Sequence, residues 1–124
     1  MGELKGYKRL HVWEKAHQFM LLIYKETSSF PKHELFGLTS QIRRAGVSVP
    51  ANIVEGQASN SKRDFLNFLN IANRSLVEVE YLLEASLDLK YLAKEKFDKL
   101  ETLRCETGNL LNGLMRSIKS KLDT

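Results

Sequence analysis

The sequence predicts an all-α protein, an antiparallel up-down bundle of four helices in one domain spanning residues 1–124. Three observations predict it. Apolar residues recur in steps of three and four along nearly the whole chain, the spacing that lines one face of a helix, and no period-two alternation persists. Only two prolines interrupt 124 residues, too few for a many-turned β-sandwich. The segments between the periodic runs are short, which makes successive helices antiparallel neighbours. A chain of this length can bury roughly two thirds of its unfolded surface, enough for a core.

The first helix, about 10–28, is read from Val12, Ala16, Phe19 and Ile23, with Trp13 and Met20 beside them. Phe30-Pro31 ends it, because a proline disfavours helical backbone in the residue before it. The second, about 33–56, is read from Leu35, Leu38, Ile42, Ala45, Val49 and Ile53. Pro50 lies inside this run, lacks a backbone donor and crowds the Gly46 carbonyl, so one kinked helix is expected. Gly56 is placed as its stop, before the polar loop 57–60. The third, about 61–90, opens with the capping pair Ser61 and Asp64. It carries two apolar stripes: Phe65, Leu69, Ala72, Leu76, Val79 and Leu83, and then Phe68, Ile71, Ser75, Glu78, Leu82, Ala85 and Leu89. A helix apolar on two faces either lies centrally in its bundle or turns one face to another subunit, so copies of the chain are expected to associate. The fourth, about 94–121, follows Leu100, Leu103, Thr107, Leu110, Leu114 and Ile118. Gly108 and Gly113 weaken it by about 1 kcal/mol each relative to alanine.

Formal charge is +4 and is unevenly spread. Residues 1–62 hold nine Lys/Arg against five Asp/Glu, and the remainder hold ten against ten. The sign favours acidic partners at a magnitude ordinary for a soluble domain. A single cysteine, Cys105, excludes an internal disulfide and a multi-cysteine zinc site, and it reads as a partly buried structural thiol. The basic start has no apolar signal core and no window reaches about 18 apolar residues, so the expectation is a cytoplasmic protein with no membrane span.

Enzyme signatures are missing: no phosphate loop, dinucleotide fingerprint, zinc-protease pair, CxxC or nucleophile elbow occurs. Glu14 and His17 have the E-x-x-H spacing of di-iron bundles, which needs a second such element and two further carboxylates. Both are placed as surface charges turned away from Trp13, Ala16 and Met20, and no metal or cofactor is expected. The best local signal is a polar stripe on the second helix, Gln41, Arg44, Ser48, Asn52 and Glu55, together with Ser75 and Glu78 inside the apolar stripe of the third. A buried charge is costly unless paired, so Arg44 or Arg43 is expected to meet Glu78 or Glu55 in a polar layer. That layer reads as a network fixing helix register or a subunit contact, or as a ligand or nucleic-acid site. No positioned nucleophile or histidine supports catalysis.

The same stretch carries a resemblance. Residues 41–56, read as Gln41-Ile42-Arg43-Arg44-Ala45-Gly46-Val47-Ser48-Val49-Pro50-Ala51-Asn52-Ile53-Val54-Glu55-Gly56, resemble the signature of the 23S rRNA-intervening-sequence proteins. Val12-Trp13, Phe30-Pro31, Glu34, Phe36-Gly37-Leu38, Ser75, Glu78 and Glu80 extend the match over about residues 9–92. The third-to-fourth connection reads Lys90-Tyr91-Leu92, where the family pattern implies a glycine. The resemblance implies a four-helix bundle closed into a homo-oligomeric ring, a homopentamer. The family is similar to accessory proteins of diversity-generating retroelements, basic pentameric barrels that bind nucleic acid and a reverse transcriptase.

These readings converge on a non-catalytic accessory protein that binds RNA or DNA through phosphates, with Lys5, Lys8, Arg9, Arg43, Lys62 and Arg63 as candidate contacts. Little sequence preference is expected, because no aromatic-basic alternation marks a stacking platform. The alternative is a protein-interaction scaffold, for example one docking a reverse transcriptase, which an apolar patch left exposed would favour.

Overall fold

The computed structural model describes residues 6–122, with the side chains of Lys8 and Arg9 outside that description. Four helices form: α1 (His11–Thr27), α2 (Leu38–Gln57), α3 (Lys62–Asp88) and α4 (Lys94–Leu122). A 3-10 turn at Gly6–Arg9 leads into α1, and another at Lys32–Glu34 lies between α1 and α2. There is no strand among the described residues.

Both α1 and α3 pack against α2 and α4, while the diagonal pairs do not meet, which is the square plan of a bundle. Cross-helix pairs fix the directions. Lys15 near the start of α1 pairs with Glu106 of α4 at 2.8 Å, whereas Lys96 at the start of α4 lies 3.9 Å from Glu26 at the end of α1. Gln41 reaches Glu78 across the α2–α3 seam, and further along α2 Gly56 abuts Phe65 near the start of α3. Between α3 and α4, Glu80 meets Arg104 at 3.1 Å and Leu76 meets Gly108.

The core is made by the stripes the spacing predicts. Phe19 and Ile23 from α1, Ile42, Val49 and Ile53 from α2, and Leu69, Val79 and Leu83 from α3 are buried, and Leu100 and Leu111 complete it from α4. Each such side chain contributes about 1.5–3 kcal/mol by leaving water. Three buried hydroxyls are satisfied locally, Thr27, Ser86 and Thr107 each donating to the carbonyl four residues back at 2.7 Å, whereas the buried Thr39 Oγ1 has no hydrogen-bond partner.

Four expectations are corrected. The second helix starts at Leu38, not near residue 33; Leu35 keeps the apolar step but lies exposed in the preceding turn. There the Glu34 carboxylate accepts from the Leu38 N–H at 3.2 Å and caps the helix. Gly56 does not stop α2, which runs to Gln57 with Gly56 buried inside it. A Cβ at Gly56 would lie 2.8 Å from Phe65 Cδ1 and 2.9 Å from Phe68 Cβ, so this glycine lets α2 and α3 approach. On α4 the core residue is Leu111, with Leu110 about 100° round the helix and turned outward. Cys105 is exposed rather than partly buried.

Pro50 sits buried within an unbroken α2, and Ser61 caps α3 by accepting from the Asp64 N–H at 3.1 Å. The α3–α4 connection is a Schellman turn. Tyr91 N–H donates to the Ser86 carbonyl at 3.0 Å and Lys90 N–H to that of Leu87 at 3.0 Å, with Lys90 left-handed at φ 65°. The position where the family pattern implies glycine therefore has the backbone that favours one.

Candidate functional site

The polar stripe forms a shallow cleft between α2 and α3 of about 240 Å³, lined by Gln41, Arg44, Ala45, Ser48, Ser75 and Glu78. Its floor is hydroxyl to hydroxyl: Ser75 Oγ donates to Ser48 Oγ at 2.7 Å. Asn52 Nδ2 secures Ser48 from one turn on, donating to its carbonyl at 2.7 Å and its Oγ at 3.0 Å. Gln41 Nε2 donates to Glu78 Oε2 at 3.3 Å. The structure brings Gln41, Ser48, Asn52, Ser75 and Glu78 of the expected stripe together. The expected ion pair is not made: Arg44 lines the same cleft as Glu78 but lies beyond 4.0 Å from it, and both are exposed. Glu55 is exposed with no partner among the described residues.

Arg43 leaves the stripe altogether. Half-buried, it donates from Nε to Thr27 Oγ1 at 2.9 Å and lies over the Tyr24 ring at 4.9 Å. It pins the last turn of α1, where a cation also complements the helix dipole.

Of the remaining basic candidates, those on described backbone converge. Gly6 packs against the Gln57 side chain, which carries the 3-10 turn bearing Lys8 and Arg9 to the end of α2. Lys62 and Arg63 open α3 five and six residues further on and are exposed. The antiparallel course of α4 brings its last turns, with exposed Arg116 and Lys119, to the same end. Lys62, Arg63, Arg116 and Lys119 have no acidic partner among the described residues. Lys5 lies outside the described residues, as do the side chains of Lys8 and Arg9. Sequence reasoning missed Arg116 and Lys119, because residues 63–124 balance ten Lys/Arg against ten Asp/Glu and only the direction of α4 in the bundle brings these two here.

His17 does not turn away from Trp13. Its ring stacks on the indole at 5.0 Å with 14° between planes, and Tyr7 meets the same indole edge-on at 5.2 Å. Among the described residues no three His, Cys, Asp or Glu side chains gather as metal ligands would, and no helix is long and apolar enough to cross a membrane.

Comparison with known proteins places the chain. The family model described as 23S rRNA-intervening sequence protein matches residues 8–113. The chain belongs to this family. Among solved structures, this 23S rRNA-intervening sequence family member is similar to a Bacteroides thetaiotaomicron protein of the S23 ribosomal protein family, itself described as of unknown function. The two share 29% identity and superpose with a TM-score of 0.77, covering 85% of this chain and 95% of that one. No curated protein matches.

Proposed function

We propose that this family member is a non-catalytic nucleic-acid-binding accessory protein that works as a homo-oligomeric ring and holds phosphates at one end of each bundle. The observation that supports this reading is the convergence just described: cations from the 3-10 turn, the start of α3 and the end of α4 share one end. Of these, Lys62, Arg63, Arg116 and Lys119 have no acidic partner among the described residues. Cations without partners bind phosphates at little cost, because no internal ion pair must first break. A ring of five would carry a formal +20 and repeat the patch, so weak contacts add by avidity.

The test is fluorescence anisotropy with structured RNA and duplex DNA across a salt series. Binding is expected at low salt, and for about five neutralised phosphates the log–log slope is roughly −4 to −5. No binding of either near 50 mM salt would remove the proposal. Light scattering is expected to give five times the protomer mass, and a monomer would remove the ring.

Exposed apolar groups favour a second reading, a docking scaffold for another protein such as a reverse transcriptase. Phe36 is 94% exposed, and on α3 Val77 and Tyr81 are 57% and 67% exposed. Patches of this kind mark interaction surfaces. Loss of association on Tyr81→Ser, with no nucleic-acid binding by the parent chain, would favour it.

A further inference from the structure

Where α2 hands over to α3, a second cleft of about 330 Å³ opens at the basic end. That volume is near the lower limit of small-ligand pockets, which run from roughly 300 to 1,000 Å³. It suits one planar heterocycle. Its lining has the three chemistries a nucleotide needs.

Gln57 and Asn60 present exposed carboxamides that make no hydrogen bond within the described protein, and each offers a donor beside an acceptor, the pattern on the edge of a base. Phe65 lines the cleft with a half-buried ring whose position is set by contact with Gly56. Lys62 lines it too, and Arg63 follows, both exposed and without acidic partners. The two serines in the wall are already engaged: Ser59 Oγ donates to the Gly56 carbonyl at 2.6 Å, and Ser61 Oγ accepts from the Asp64 N–H. They shape the cleft, leaving the amides and the ring to meet a ligand.

We infer that this cleft receives one unpaired nucleobase while Lys62 and Arg63 hold the adjoining phosphates. The inference rests on the nucleic-acid reading above and narrows it to single strands and loops. A base inside a duplex has its edge paired and its faces stacked, so it cannot enter. An unstacked base is free to lie against an aromatic ring and pair with side-chain amides. This replaces the expectation of purely phosphate-directed contacts with a selective one.

The experiment is anisotropy on the full chain, near 50 mM salt, with a single strand of about 24 nucleotides and a duplex matched in nucleotide number. The single strand is expected to bind more tightly. The double variant Gln57→Ala/Asn60→Ala changes two exposed side chains, and it is expected to lower single-strand affinity about five- to tenfold while duplex affinity stays within about twofold. Phe65→Leu, which keeps apolar volume beside Gly56, should give the same pattern, with its melting curve confirming the fold. Lys62→Ala/Arg63→Ala should lower both. If the amide variant weakens neither form, or both equally, the cleft assignment is overturned and the phosphate reading stands. If the parent chain binds neither form, both fall.

Discussion

The two ends of the bundle differ in how their charges are met. Where α1 turns into α2 and α3 into α4, several polar groups are paired: Lys96 of α4 approaches Glu26 of α1, Lys94 bridges Asp98 within α4, and Tyr91 donates to Glu34 at 3.1 Å, while Lys32 and Lys90 are exposed without an acidic partner. About two turns further along α4, Arg104 contacts Glu101 at 2.7 Å and Glu80 at 3.1 Å. Burial opposes the charge of Arg104, but its hydrogen bond to Glu101 and the fields of both carboxylates outweigh burial and raise its pKa. At the other end the seam closes by shape, with Gly56 against Phe65 and Phe68, while Lys62, Arg63, Arg116 and Lys119 are exposed together without acidic partners among the described residues. Exposed ion pairs contribute only about 0–1 kcal/mol, so the contrast is not mainly one of stability. It concerns where adjacent cations, Lys62 with Arg63 and the last turns of α4, gather for an anion from outside.

The largest effect is expected from breaking the shape-closed end. Gly56→Ala places a methyl against Phe68 Cβ, which is tied to the α3 backbone and cannot swing aside, so the helices must part. Overpacking costs about 1–3 kcal/mol and the better helix propensity of alanine returns part of it, for a net loss of about 1–2 kcal/mol. A lower urea midpoint at unchanged slope is the readout. An unchanged midpoint would mean the seam has room to spare. At the paired end, Lys90→Gly should gain about 1 kcal/mol by relieving the left-handed backbone, seen as a higher melting temperature. Arg104→Gln should lose about 0.5–1 kcal/mol, since it leaves Glu101 and Glu80 close together without their cation.

Helix number, order and most core positions were legible because the apolar steps are long and regular, as in Val12, Ala16, Phe19 and Ile23. Boundaries were less so. Leu35 continues the periodicity of α2 yet lies in a turn, because the Glu34 carboxylate caps the helix four residues on, at Leu38, a side-chain reach no spacing encodes. Gly56 has the composition of a stop and the environment of a packing residue, and only its neighbours on α3 distinguish the two. Leu110 and Leu111 sit side by side, and a helical wheel alone does not choose between them. In the site, the Ser48–Ser75 contact was foreseeable from two polar positions on facing stripes, whereas the Arg44–Glu78 pair was inferred from opposite charge and is not made. The basic end was hidden for another reason. Arg9 and Lys62 are far apart in sequence, and only the antiparallel return of α2 puts their backbones at one end.

The smallest stability effect is the one that most sharpens the contrast between the ends. Lys62→Ser/Arg63→Ser removes two exposed cations that touch no acidic group, so unfolding free energy should move by less than about 0.5 kcal/mol. Repulsion among neighbouring like charges falls at the same time, so a slight gain is as consistent with this account as no change. Nucleic-acid affinity should fall uniformly across sequences, and the salt slope should become shallower by about 2, one for each lost phosphate contact. A clear stability loss with unchanged affinity would mean these cations serve the fold. The basic end would then differ from the paired end only in how its charges are satisfied, not in what they are for.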